Sequence, residues 1–215
     1  MPKDKLRRFA EYALFANTFD FAYDMKGRWK LDYFKNDNPL VLELGCGKGE
    51  YTVALAKQNP LKNFIGIDLK SNRMWKGAGI ALEENLTNVA FMRGVIEKIT
   101  EFFSADEVDE IWITFPDPYP KDRHEKHRLT SPKFLERYKE ILKKDGIVHF
   151  KTDDDGLFHY TVEILKELKI NPIEIIWDVH GDEASPAYLR EIKTYYEKLF
   201  MQKGRTVKYL KFKFN

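Results

Sequence analysis

Cysteine is almost absent from this chain: Cys46 is the single one in 215 residues. That excludes an internal disulfide framework and a cysteine-rich zinc site. No apolar run approaches the ~20 residues that a membrane-spanning helix needs. There is no internal repeat, no low-complexity tract and no linker-like stretch, so one fairly large domain is expected. An excess of either sign of charge is missing too, with 36 Lys and Arg against 34 Asp and Glu. A net charge of +2, with 43% hydrophobic and 33% charged residues, argues against intrinsic disorder and does not by itself announce a nucleic-acid partner. The basic N-terminal stretch lacks an uninterrupted apolar segment and a small-residue cleavage site, so no secretion signal is read there. A cytoplasmic protein, with no membrane and no metal partner, is the expectation; a monomer and a homodimer stay equally open.

The charge that is present is unevenly placed. Lys3, Lys5, Arg7 and Arg8 crowd the first ten residues, and Lys203, Arg205, Lys208, Lys211 and Lys213 lie among the last thirteen without an acid. A third group comes after Pro120: Lys121, Arg123, His124, Lys126, His127 and Arg128. Solvated surface is the simpler account of any one group; only their convergence on one face would make an RNA-binding surface.

From residue 39 onward, short apolar runs at 39–45, 63–69, 88–94, 109–115 and 146–152 read as buried strands. Between them, helices are expected over 50–58, 71–85, 131–144 and 155–168. Ser131 stands as an N-cap before Pro132, and Gly146 marks the far end of that helix. Later runs at 173–179 and 206–214 predict two more strands flanking a helix from about Pro186 to Lys203. The class is therefore α/β: a mostly parallel, seven-stranded sheet with helices on both faces and a C-terminal antiparallel hairpin. Residues 1–38 are expected as a flexible, RNA-contacting extension, and 39–215 as the domain proper.

Ligands of such sheets bind beyond the carboxyl ends of the strands, so the residues just after each strand matter most. "VLELGCGKGE" places Gly45, Gly47 and Gly49 at alternate positions in a strand-to-helix turn. There they allow a sharp turn and a close ligand. Glu43 lies near the end of its apolar strand, where an unpartnered carboxylate is costly to bury. Asp68 ends the next strand, placed to accept hydrogen bonds from ribose hydroxyls. The G-x-G-x-G spacing, with Glu50 next at the helix start, suits a nucleotide ligand without a pyrophosphate better than NAD. Cys46 reads as a small packing residue. "ELGCGKG" resembles the first motif of the Rossmann-like class I S-adenosylmethionine-dependent methyltransferases.

After the fourth of these strands comes "FPDPYPKDRHEKHRLTSPKFLERY", in which Pro116, Pro118 and Pro120 stiffen the backbone around Asp117 and Tyr119. This stretch resembles the signature of the bacterial, single-chain tRNA (guanine-N7)-methyltransferase family. Further matches lie in order at "LELGCGKG", "FIGIDLKSNRMWKGA", "FKTDDDGLFHY" and "TYYEKLFMQKG". The resemblance implies S-adenosylmethionine as cofactor, tRNA as partner, and methylation of guanine N7 in the variable loop. It also implies that Glu43, Asp68, Gly94 and Asp117 face the cofactor. Lys121, Asp153, Thr194, Tyr195, Tyr196 and Glu197 match substrate-site positions, and Arg123, His124, Lys126, His127 and Arg128 match a segment that engages RNA. Gly94 offers only its backbone where relatives often carry an acid or polar residue. Tyr195 and Tyr196 stand where relatives often have a cation followed by Phe.

Guanine N7 bears an exposed lone pair and needs no deprotonation before it attacks a methyl group. Alignment and accommodation of the developing positive charge suffice. The chain agrees: it offers acids at strand ends and no Ser-His-Asp constellation. Asp117 and Asp153 are the expected catalytic carboxylates, Asp153 facing the guanine and Asp117 the cofactor edge. Within "KTDDDG", Asp154 or Asp155 is expected to cap the next helix. The competing readings are an adenine-N6 methyltransferase, whose motif resembles Asp117–Tyr119, and a tRNA-binding protein without catalysis.

Overall fold

The five apolar runs between residues 39 and 152 become strands that are largely covered on both faces, which leaves little polar side to alternate with. The computed structural model describes residues 2–214. Met1 and Asn215, the outer ends of the two expected segments, lie outside the described residues, as do the side chains of Pro2 and Lys3. In chain order the elements begin with α1 (Pro2–Tyr12), β1 (Thr18–Asp20), β2 (Leu40–Leu44), α2 (Glu50–Gln58), β3 (Asn63–Asp68) and α3 (Ser71–Glu83). They continue with β4 (Val89–Arg93), α4 (Ile99–Phe102), β5 (Val108–Thr114), α5 (Pro132–Ile141) and β6 (Leu142–Thr152). Last come α6 (Asp155–Glu167), β7 (Pro172–Ile176), α7 (Ala187–Glu191), α8 (Tyr195–Gln202) and β8 (Lys208–Lys213).

The strands form one sheet in the order β1-β4-β3-β2-β5-β6-β8-β7, parallel except for β8, which runs antiparallel to both neighbours. The winding reverses between β2 and β5, and this is where open α/β sheets bind ligands. Alternation along β2 shows how the two cores are fed. Leu40, Leu42 and Leu44 join Ile111, Ile113, Phe150 and Phe158 on one face. Val41 joins Tyr51, Phe91 and Trp112 on the other, and Glu43 shares that second direction. No helix among the described residues is long and apolar enough to cross a membrane.

Four local differences from the sequence expectations have physical causes. The sheet has an eighth strand, because Thr18–Asp20 pairs in parallel with Phe91–Arg93 at the edge. Within the stretch expected as an extension, Trp29 is fully buried, donates Nε1–H to the Phe102 carbonyl at 3.2 Å and meets Phe19 edge-on. The helix expected to reach residue 144 ends at Ile141, and Gly146 sits inside β6, where the pairing with β5 shifts register between Val108–Leu142 and Glu110–Ile147. The helix expected over 186–203 is two, α7 and α8. Thr194 restarts it by accepting the Glu197 amide at 3.1 Å.

The β2–α2 turn divides its glycines between two tasks. Gly47 has φ of 57° and open space around a would-be Cβ, whereas Gly49 has φ of 72° and a Cβ there would run into the Phe91 ring. Gly77 of α3 is pressed on the same ring and on the Lys48 carbonyl. So Gly49 serves helix packing. Gly49→Ala is expected to cost about 2–4 kcal/mol, backbone strain plus overpacking, against about 1–2 kcal/mol for Gly47→Ala. Urea unfolding of both variants checks this; equal losses would remove Phe91 as the constraint.

Candidate active site

A cleft of about 650 Å³ opens at the carboxyl ends of β2, β3, β5 and β6. It gathers Glu43, Gly45, Gly47, Asp68, Gly94, Asp117, Asp153, Thr194, Tyr196 and His127 from distant parts of the chain. Glu43 is buried at the switch point and is partnered: Thr114 donates to Oε1 at 2.7 Å and Thr52 donates to Oε2. Burial nevertheless pushes its carboxyl up to about 7, only partly offset by those hydroxyls. Asp68 is also engaged, by the Gly47 amide at 3.0 Å and the Lys70 amide at 2.8 Å, so it braces the glycine turn. Gly94 donates its amide to the Asp68 carbonyl at 3.2 Å. Cys46 is buried and burial raises its thiol pKa, which leaves it a packing residue.

The proline-rich loop is stiff for a reason that prolines alone do not supply. Phe115 and Tyr119, on either side of Asp117, have φ of 48° and 44°, a conformation costly for aromatic residues and characteristic of functional loops. The Lys151 carbonyl holds the Phe115 amide at 2.8 Å. Arg128 holds the other end: Nε and Nη2 donate to the Tyr119 carbonyl at 3.2 and 3.0 Å, and the guanidinium lies 4.3 Å from the Tyr160 ring centroid. Arg128 is thereby turned inward, unlike Lys121, Arg123 and Lys126, which are exposed. His124 and His127 pack around Tyr119, with ring centroids 6.3 and 5.7 Å away.

Across the cleft, α8 presents Tyr196, stacked on Phe200, which in turn lies 6.1 Å from Phe115. Thr194 caps α8 while lining the cleft. Tyr195 points elsewhere: its amide donates to Glu50 Oε2 at 2.8 Å and its ring lies under the Lys48 ammonium at 4.5 Å. Glu197 does not reach the cleft. It is fully buried, with Oε1 2.7 Å from Lys151 Nζ and 2.9 Å from His180 Nε2. Lys151, equally buried and with its pKa lowered by that burial, also donates to the Leu189 carbonyl at 2.7 Å. This network has no local sequence signal, since its members lie on β6, a loop, α7 and α8. Gly49, Lys121, Arg123, His124, Lys126, Arg128, Tyr195 and Glu197 thus stand outside the cleft lining. Arg205 and Phe200, which sequence reasoning did not single out, line it. The "DDD" run is divided among three partners. Asp153 bonds Arg205 at 2.8 Å, Asp154 caps α6 through the Leu157 amide at 2.7 Å, and Asp155 pairs with buried Lys208.

These burials have two measurable consequences. An acid whose folded pKa (about 7) exceeds its usual 4.5 binds more protons folded than unfolded, so its contribution to stability falls as pH rises from about 4.5 through about 7. Glu43→Gln should flatten that fall and raise the stability of the ligand-free protein at pH 8 by about 1–3 kcal/mol. Unfolding curves between pH 5 and 8 measure it; an unchanged slope would show that Glu43 does not titrate in this window. Glu197→Ala strands a buried ammonium and should cost about 3–5 kcal/mol. A melting temperature equal to that of the parent would show the pair to be structurally idle.

Comparison with known proteins agrees with this architecture. A family described as a putative methyltransferase matches residues 37–210. The chain is 49% identical to a tRNA (guanine-N(7)-)-methyltransferase of Christiangramia forsetii over 98% of both chains. It is 45% identical to one of Bacteroides thetaiotaomicron, over 99% of this chain and 86% of that one. Among solved structures, the 16S rRNA methyltransferase KamB superposes with a TM-score of 0.66 at 14% identity, over 85% of this chain and 90% of that one, which is likeness of fold. With full-length identity at this level, the chain belongs to the tRNA (guanine-N7)-methyltransferase family.

Proposed function

We propose that this protein transfers the methyl group of S-adenosylmethionine to N7 of a guanosine in tRNA. The observation that carries the reading is the meeting, in one cleft, of the bare glycine turn and Glu43 with Asp117, Asp153 and the Tyr196–Phe200 aromatics. The residues fit this cofactor. Gly45 and Gly47 present backbone to the cleft, and no atom lies within 4 Å of a Cβ built on Gly47. In the lining the acids Glu43, Glu50, Asp68, Glu97, Asp117, Asp153 and Asp154 outnumber the cations Lys48, Lys70, Arg73 and Arg205, a balance that favours a cationic cofactor over a pyrophosphate. When bound, the cofactor supplies a methyl group activated by its sulfonium. Glu43, Gly45, Gly47, Asp68, Gly94 and Asp117 would hold it.

The chain's own part is binding and orientation. Tyr196 and Phe200 offer a stacking platform for an extruded base, and Tyr119 with His127 faces the same space. Asp153, through the oxygen that Arg205 leaves free, accepts from the N1–H and exocyclic-amine edge of guanine, leaving N7 turned to the reacting centre. The carboxylates of Asp117 and Asp153 then stabilise the positive charge that grows on the ring. No residue has to remove a proton before attack. Exposed Lys121, Arg123 and Lys126 lie beside the cleft on the loop that carries Tyr119, placed to meet phosphates of the RNA.

Incubation with unmodified tRNA and methyl-labelled cofactor, then borohydride–aniline cleavage, should locate the label as 7-methylguanosine. Label in adenine, or no transfer, would sink the reading. Asp153→Ala should lower turnover about 100-fold or more while cofactor affinity changes little. Equal loss of both would move Asp153 to the cofactor side.

A further inference from the structure

The three consecutive acids after β6 create a problem that the C-terminal strand solves. Asp153, Asp154 and Asp155 are adjacent, and mutual repulsion would splay them unless each had a partner. Asp154 is committed to the Leu157 amide of α6 and Asp155 to Lys208. Asp153, with its side chain only 9% exposed, takes a single guanidinium nitrogen: Arg205 Nη1 lies 2.8 Å from Oδ2. The bond engages that one oxygen, so Oδ1 stays available to a ligand in the cleft that Asp153 lines.

Arg205 is itself held from two sides. Its guanidinium lies 5.6 Å from the centroid of the Phe200 ring, the platform of the cleft. Its backbone comes directly after Gly204, whose φ of 72° brings the chain back from α8 toward β8. The antiparallel pairing of Thr152 with Lys208 then fixes the start of β8 beside the end of β6. Arg205 therefore spans the substrate platform and the substrate-facing carboxylate, and its side chain, 54% exposed, also borders a second, shallower cavity formed with Asp154, Asp155 and Thr206.

We infer that Arg205 is a positioning residue for methyl transfer, fixing one oxygen of Asp153 so that the other is presented to the guanine edge. This rests on the reading of Asp153 as the guanine-facing acid. A guanidinium suits the task because its planar, permanently charged fork keeps its direction. Misplacement of a substrate-orienting group by about 1 Å can cost 10²-fold in rate. The loss should fall on kcat, with RNA affinity preserved, since Arg205 spends its charge on Asp153 and not on phosphate.

The experiment is a double-mutant cycle on the full-length protein, with unmodified tRNA and S-adenosylmethionine, reading kcat, KM and the salt dependence of tRNA binding. Arg205→Met should lower kcat roughly 10- to 100-fold with the tRNA Kd within about two-fold of the parent. Arg205→Lys should recover part of that loss. In an Asp153→Ala background, Arg205→Met should have no further effect. Melting curves should show each variant folded. Overturning results are parental kinetics for Arg205→Met, or a weakened tRNA Kd with a flatter salt slope at unchanged kcat, the mark of a phosphate contact. Fully additive losses in the cycle would overturn it as well. Should Asp153→Ala alone leave kcat intact, the guanine-facing reading of Asp153 falls, and the Arg205 inference falls with it. A damaged Asp153→Ala beside a healthy Arg205→Met removes the inference alone.

Discussion

The Lys151–Glu197 pair is the constraint on which the two halves of the site depend. Lys151 stands one residue before the carboxyl end of β6, and Glu197 lies in the first turn of α8, with both side chains out of contact with solvent. Each charge would be prohibitive alone in that setting, so strand end and helix stay together or neither is buried. His180 on the same oxygen and Leu189 on the same ammonium extend the tie to the intervening loop and to α7. What this secures is the approach of Thr194, Tyr196 and Phe200 to a cleft whose other wall is set by the glycine turn some 150 residues earlier in the chain. Glu50, reaching from α2 to the Tyr195 amide, adds an exposed counterpart of the same link.

Around that tie acids outnumber cations in the cleft lining, while the cations of the Lys121–Lys126 segment are exposed beside it. The loop between the two is held in an unfavourable backbone at Phe115 and Tyr119, and Lys151 and Arg128 supply the hydrogen bonds that keep it so. Stiffness here is a property of packing around the prolines as much as of the prolines themselves.

Most of the architecture is legible in the residues. Continuous apolar runs identify the buried parallel strands, and strand-end acids with alternate glycines identify the edge that binds ligand. What was not legible falls into two kinds. Thr18–Asp20 is too short to carry periodicity, and its strand exists because β4 offers an unpaired edge. The other kind depends on distant partners: Gly49 reads like Gly47 until Phe91 is placed against it, and Glu197, expected at the substrate site from the family resemblance, is instead buried on Lys151. Arg128 and Arg205 are further cases. Each looks like one more cation in a basic run, and each is distinguished only by the group that folding brings to it, a carbonyl for one and a carboxylate for the other.

The order of strands also separates the chain's timetable from its layout. β7 is made before β8, yet among the described residues its only neighbour in the sheet is β8, which lies between it and β6. During synthesis the glycine turn and its surrounding strands can close well before the last residues emerge, while β7 must wait for them. A chain broken off before Lys208 would lose one strand by deletion and a second by orphaning. The Tyr196–Phe200 wall on α8 and the partner of Asp155 would lose the hairpin that anchors them, leaving the glycine turn without the aromatic wall opposite it.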